Sequence, residues 1–114
     1  MNVFIHDANG TKIAEAQSEG IIIRSARDAA DITRELLAQG LNKLILHERN
    51  VSPEFWQASH GLAAVILQEF ASKAVAVAFV GSENIAAAIQ KSGFGNKAFV
   101  SESVEAAKER FAAR

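Results

Sequence analysis

Residues 43–81 read KLILHERNVSPEFWQASHGLAAVILQEFASKAVAVAFVG, and the other segments of the chain are interpreted by how they can pack against these residues. The two ends of this stretch, residues 44–46 and 74–80, are short apolar runs of the kind that form buried strands. Between them, apolar residues recur at helical spacing over residues 62–70. The stretch therefore predicts a buried strand, a helix and a second buried strand, against which the rest of the chain can pack.

The start of that central helix has two interpretations. Ser52 followed by Pro53 is typical of a helix N-terminus, because serine caps the first turn and proline lacks an N–H that would be unpaired anyway. Gly61, however, would cost about 1 kcal/mol inside a helix. Either the helix begins near Ser59 after a separate turn at residues 53–56, or Gly61 allows a close approach to a neighbour. We favour the first interpretation.

Upstream of this stretch, the sequence predicts a hairpin, a strand and a helix. The hairpin pairs residues 2–6 with residues 11–16, because Asn9-Gly10 supplies the positive φ angles that a tight turn needs. The β-branched run at residues 21–23 predicts a buried strand. Residues 25–40 predict a helix with a serine capping box and a terminal glycine. The strand, this helix and the first central strand are expected to form a parallel βαβ unit.

Downstream, the pattern predicts a short helix over residues 83–91 and a strand over residues 97–100. Ser101 is expected to cap a closing amphipathic helix. The whole chain, residues 1–114, is thus predicted to be a single α/β domain in which a mixed β-sheet is packed with about four helices.

Composition excludes several classes of function. The chain carries 12 Lys and Arg against 13 Asp and Glu, so it has no basic field to attract nucleic acid. It contains no cysteine, which removes disulfides and thiolate metal sites and suits a cytoplasmic location. The apolar run AVAVAFV is too short to cross a membrane. We expect no nucleic-acid or membrane partner and no cofactor.

Four short motifs follow one another in the order Ala58-Ser59-His60-Gly61-Leu62, Ala76 to Gly81, Ser92-Gly93-Phe94, and Ser103-Val104-Glu105-Ala106-Ala107. In this order they resemble the motifs of the STAS domain, the SpoIIAA-like fold of bacterial anti-sigma-factor antagonists. The motifs Leu46-His47-Glu48, Pro53 to Trp56, Gly61-Leu62-Ala63 and Phe79-Val80-Gly81 are similar to a bacterial family, domain of unknown function 4180. The first resemblance implies a STAS-like fold and a non-enzymatic role in protein interaction. The second brings no activity with it.

Ser59 matches the serine that is phosphorylated in STAS antagonists, so the resemblance makes it a phospho-acceptor candidate. A phosphate at a helix N-terminus would meet free N–H groups and the favourable end of the helix dipole. The match is partial, because Ala58 and His60 stand where the family has an acidic and a small hydroxyl residue. The alternative is that Ser59 is simply a cap or first-turn residue.

Polar residues follow two of the predicted strands. His47 and Glu48 come after the first central strand and Ser82 after the second, and ligands of open α/β sheets gather at the carboxyl ends of strands. Together with His60 they form a candidate pocket. A metal held by His47, Glu48 and His60 is a further hypothesis, although their spacing matches no zinc signature. We predict no metal site and no catalytic residues.

Phe55 and Trp56 are adjacent, so both cannot point into one core. An exposed member would form a docking surface, whereas the alternative is an apolar anchor that closes the end of the sheet. The leading hypothesis is a non-enzymatic interaction or regulatory module that binds a protein partner, or itself as a homodimer, through the surface at residues 50–62. The alternative is a small-molecule binder or weak enzyme at the edge formed by His47, Glu48 and His60.

Overall fold

The computed structural model describes residues 3–53, 61–81, 83–92 and 98–112. Five strands form one sheet whose order follows the chain. The strands are β1 (Val3–Ala8), β2 (Thr11–Ala16), β3 (Lys43–His47), β4 (Ala76–Val80) and β5 (Ala98–Ser101), and the helices are α1 (Ala26–Ala38), α2 (Leu62–Ser72), α3 (Glu83–Ser92) and α4 (Val104–Ala112). β1 is antiparallel to β2, and every other pair of neighbours is parallel. The predicted α/β fold with a mixed sheet and about four helices is confirmed.

The sheet separates two apolar layers. On one face, buried residues of α1, α2 and α3 form a cluster with side chains such as Leu44 and Phe79. On the other face, α4 packs Ala107 and Phe111 against the sheet around Ile45. Alternation of side chains along each strand explains why Leu44 and Ile45, which are both fully buried, belong to different layers. None of the described helices is long and apolar enough to cross a membrane.

In the first third of the chain, the predicted Asn9-Gly10 turn and the Ser25 helix cap are confirmed, whereas the predicted capping box is only half formed. Asn9 and Gly10 take φ angles of 56° and 86° and close the β1–β2 hairpin. Ser25 caps α1 by accepting a hydrogen bond from the Asp28 backbone N–H at 3.3 Å. The Asp28 carboxylate accepts from the backbone N–H of Arg24 at 2.8 Å, one residue before the cap.

The prediction of a strand at residues 21–23 is wrong. Only Ile23 makes a bridge, to Val51, and Ile21 is 36% exposed. The backbone N–H groups of Ile22 and Ile23 both donate to the carbonyl of Asn50, at 2.8 and 3.0 Å. The place beside β3 is already taken by β2, so the βαβ unit runs through β2, α1 and β3. The isoleucine run instead closes the end of the sheet.

The first helix whose start differs from the prediction is α2. α2 begins at Leu62, and Gly61 precedes it in a left-handed conformation with a φ of 64°. A Cβ built on Gly61 would meet nothing within 4 Å, so the close-approach interpretation is wrong. The predicted turn at residues 53–56 and the helix start near Ser59 lie largely outside the described residues.

The helix α4 is capped by a different serine from the one predicted. Ser101 is the last residue of β5 and is buried. Ser103 accepts a hydrogen bond from the Ala106 backbone N–H at 3.1 Å and thereby caps α4.

Candidate functional site

Three side chains from three neighbouring strands meet near one end of the sheet. His6 of β1, Glu15 of β2 and His47 of β3 form what we call the His-Glu-His cluster. Glu15 Oε1 lies 2.8 Å from His6 Nε2, and Glu15 Oε2 lies 2.7 Å from His47 Nε2. The side chains are only 13–15% exposed. One carboxylate therefore bridges two imidazole rings and links three strands.

The register of the sheet produces this meeting. His6 lies opposite Ile13, so that Glu15, two residues after Ile13, shares its face. Glu15 lies beside Ile45 of β3, which places His47, two residues further on, on that same face. Because Ile13 and Ile45 pack under α4, the cluster lies on the α4 side of the sheet. Phe4 flanks it, with its ring centroid 4.7 Å from that of His6.

The cluster has a defined charge and hydrogen-bond pattern. Burial raises the pKa of the Glu15 carboxyl, but hydrogen bonds from His47 and His6 outweigh it and hold the pKa of Glu15 below its ordinary value of 4.5. Glu15 is therefore ionised near neutral pH. Since a carboxylate can only accept, the Nε2 atom of each histidine must donate. A carboxylate that orients imidazole in this way fixes both ring position and tautomer.

A single 3₁₀ turn, Glu48–Asn50, follows β3 and is organised by a buried asparagine. The side-chain oxygen of Asn50 accepts from the backbone N–H of His47 at 3.0 Å. Its Nδ2 donates to the carbonyls of Ser18 at 2.9 Å and Gly20 at 3.0 Å. Asn50 is fully buried and thus fastens the segment that follows β2 to the end of β3.

An open pocket of about 470 Å³ lies at this edge, and we call it the carboxyl-edge pocket. Its wall combines apolar side chains with three consecutive polar ones. The lining residues are Ile21, His47, Glu48, Arg49, Val51, Pro53 and Val80. His47 belongs to both the pocket and the His-Glu-His cluster, so the two features are continuous. Arg49 is steadied by its Nε, which donates to the Ser18 carbonyl at 3.2 Å.

Glu48 is packed tightly against the turn that follows β4. A Cβ added to Gly81 would lie 2.6 Å from Glu48 Oε1 and 2.9 Å from Glu48 Cβ. Real Cβ atoms do not approach so closely, so the absence of a side chain at Gly81 lets the Glu48 carboxylate reach the end of β4. The pocket wall at Glu48 therefore depends on a glycine on another strand connection.

Comparison with known proteins gives a family and no activity. A family model described as a domain of unknown function, DUF4180, matches residues 8–113. The chain belongs to the DUF4180 family. No curated protein and no solved structure matches it. The functional interpretation of this DUF4180 chain must therefore come from its own geometry.

The site predictions for this DUF4180 chain divide into two groups. His47 and Glu48 do line one pocket at the carboxyl ends of the strands. The other candidates, the phospho-acceptor, the remaining pocket residues and the docking aromatics, lie outside the described residues; these are Ser59, His60, Ser82, Phe55 and Trp56. Within the described part of the chain, no group of three or more His, Asp or Glu side chains could hold a metal ion.

The sequence-based reasoning missed His6, Glu15 and Asn50. The register implied by the Asn9-Gly10 turn puts His6 and Glu15 on one face of the hairpin, so that pair was available as a signal. The contact with His47 was not, because it depends on β2 rather than residues 21–23 lying beside β3. Asn50 had no distinguishing sequence signal, since its importance comes from burial.

Proposed function

We propose that this DUF4180 chain is a cytoplasmic, non-enzymatic, STAS-like interaction module that binds a protein partner at the carboxyl-edge pocket and the adjoining surface of residues 50–62. The element order β3, α2, β4, α3, β5, α4 supports the STAS-like part of the proposal, because the resemblance implies the same order. The absence of cysteine supports a reducing compartment.

The observation that carries this proposal is the composition of the pocket wall. Ile21 and Val80 supply apolar surface, the nearly buried Val51 lies behind it in the pocket lining, and Arg49 supplies a cation at the rim. Protein interfaces typically combine a central apolar pocket, which receives an anchor side chain, with a polar rim. Pro53 lines the pocket, and Phe55 and Trp56 follow it closely in the sequence.

The hydrogen bonds of the polar groups at this edge connect strands and turns to one another. Glu15 holds the Nε2 atom of His47, and Asn50 is engaged with three backbone groups. These contacts join β2, β3 and the Glu48–Asn50 turn, so the wall of the pocket is held in place for a binding partner.

Affinity capture read by quantitative mass spectrometry tests the proposal. Ile21 is 36% exposed and lines the pocket, so Ile21→Asp should remove a partner that wild type retains. Leu37→Asp is the matched control, because Leu37 is 43% exposed on α1 and does not line this pocket. Trp56→Ala and Ser59→Asp extend the test to the adjoining surface and to a phosphate mimic.

The outcome is decided by comparing these captures. A protein retained by wild type and Leu37→Asp but lost from Ile21→Asp would support the proposal. No protein retained above background by any variant, or equal retention by Ile21→Asp, would count against it. The captured chain also reports directly whether Ser59 carries phosphate.

A small-molecule binder is the second candidate, and the size of the pocket favours it. Ligand pockets commonly measure about 300–1,000 Å³, and the carboxyl-edge pocket is about 470 Å³. A fragment library screened by ligand-observed NMR should then give hits that bind wild type and not Ile21→Asp. Hits that bind both variants equally would refute this use of the pocket.

A further inference from the structure

The outer edge of β1 carries apolar side chains on both faces. β1 ends the sheet, and no strand among the described residues pairs with its outer side. Phe4 is 50% exposed and Ile5 is 45% exposed, and as neighbours in a strand they point to opposite faces. β1 contains no proline, lysine or bulge, which are three of the usual means of blocking further strand pairing, and its one Asp, Glu, Lys or Arg residue is Asp7.

The hairpin register determines which backbone groups of β1 face outward. The two-residue turn at Asn9-Gly10 makes Ala8 and Thr11 a hydrogen-bonded pair. Hydrogen-bonded pairs alternate along an antiparallel ladder, so the even-numbered residues of β1 bond to β2. The odd-numbered residues Val3, Ile5 and Asp7 direct their N–H and C=O groups away from the sheet.

We propose that a second copy of this chain adds its own β1 to this edge, antiparallel, with the two-fold axis at Ile5. Ile5 then pairs with Ile5 of the partner subunit, and Val3 pairs with Asp7 of the partner subunit. Phe4 lies opposite His6 of the partner subunit. The two five-stranded sheets become one continuous sheet of ten strands.

This pairing gives hydrogen-bond partners to the outward-facing backbone N–H and C=O groups of β1 in both copies. Odd residues meet odd residues, so each outward N–H of Val3, Ile5 and Asp7 finds an outward C=O, which gives six hydrogen bonds across the axis. Ile5 is covered by an identical side chain. Phe4, already against His6 in its own chain, gains a second imidazole neighbour.

Charge also favours a second copy in this register. Asp7 is the only Asp, Glu, Lys or Arg in β1, and it lies opposite an apolar valine rather than another carboxylate. A shift that paired Asp7 with itself would place two like charges together, which is destabilising. The outer edge of β1 is therefore complementary to the same edge of a second copy in this register.

Site-specific cross-linking tests both the dimer and its register. The chain contains no cysteine, so Ile5→Cys introduces a single thiol. A hydrogen-bonded antiparallel pair places its Cα atoms about 5.5 Å apart, which is within the range for a disulfide of about 4.4–6.8 Å. Mild oxidation should convert Ile5→Cys to a covalent dimer that reductant reverses.

Phe4→Cys and Val65→Cys are the matched controls. The two copies of residue 4 are diagonal neighbours about 7–8 Å apart, too far for a disulfide. Val65 is 49% exposed on α2 and reports random collision. Cross-linking of Phe4→Cys, or of Val65→Cys at the rate of Ile5→Cys, would overturn the proposal.

Analytical ultracentrifugation of variants without cysteine supplies an independent measurement. Wild type and Val65→Lys should sediment at twice the 12.2 kDa mass of the chain, and Ile5→Lys should sediment at that mass. Circular dichroism checks that Ile5→Lys remains folded. A wild type that is monomeric at about 100 μM, or an Ile5→Lys that stays dimeric, would refute the proposal. Because Ile5 lies outside the carboxyl-edge pocket, Ile21→Asp should remain dimeric, which separates this test from partner capture.

Discussion

Replacing Glu15 by glutamine tests the His-Glu-His cluster at its centre. The two hydrogen bonds of Glu15, at 2.8 and 2.7 Å, both involve a carboxylate and are largely shielded from water. Hydrogen bonds to charged groups contribute about 1.5–3 kcal/mol each. Glutamine keeps one acceptor oxygen and turns an NH₂ toward the other imidazole, so we expect Glu15→Gln to lower the free energy of unfolding by about 2 kcal/mol.

The direction of the pKa shift of Glu15 determines how its contribution to stability changes with pH. The pKa of Glu15 is lower in the folded chain than its ordinary value of 4.5. The unfolded chain therefore binds more protons between the two values, and the contribution of Glu15 to stability rises with pH across that window. The contribution of Glu15 to the free energy of unfolding is fully present above pH 4.5 and is lost as the pH falls through the lowered pKa of the folded chain. The difference in free energy of unfolding between wild type and Glu15→Gln should therefore become smaller as the pH falls through the lowered pKa of Glu15.

Urea unfolding followed by circular dichroism at several pH values measures this difference. Glu19→Gln is the control, because the side chain of Glu19 is 97% exposed and should change nothing measurable. If Glu15→Gln were as stable as wild type at pH 7, the bridging role of Glu15 would be wrong. A loss of stability that persisted unchanged in acid would contradict its electrostatic origin.

Two further substitutions test the walls of the carboxyl-edge pocket. Gly81→Ala should destabilise the fold by about 1–3 kcal/mol, because the new Cβ would overlap Glu48, whereas Gly20→Ala, with nothing within 4 Å, should be tolerated. Asn50→Asp removes the two donations to the Ser18 and Gly20 carbonyls and should cost about 3 kcal/mol in urea unfolding. Asn42→Asp, at an exposed position, is its control, and equal stability of the two Asn variants would contradict the role of Asn50.

The fold was predictable where local chemistry and long-range packing agree. The Asn9-Gly10 turn, the Ser25 cap and the apolar strands at either end of residues 43–81 each specify one structure. Residues 21–23 show the limit of this reasoning. A β-branched run indicates burial, but it does not say whether the backbone pairs with a strand or with a turn. Here the turn ending at Asn50 receives those hydrogen bonds.

The candidate site was predictable in part for the same reason. His47 and Glu48 follow an apolar strand, so their place at a strand-end pocket could be expected. The partnership of His47 with Glu15 depends on which strand lies beside β3, a property of the whole sheet. The close approach of Glu48 to Gly81 depends on a three-dimensional contact that spacing along the chain does not encode.

We propose that this DUF4180 chain acts by binding a protein at the carboxyl-edge pocket. The most direct measurement is the ratio of each captured protein between wild type and Ile21→Asp, with Leu37→Asp as the reference for a charge placed elsewhere on the surface. We predict at least one protein that wild type and Leu37→Asp retain equally and that Ile21→Asp loses. Identical captured sets from all three variants would contradict the claim.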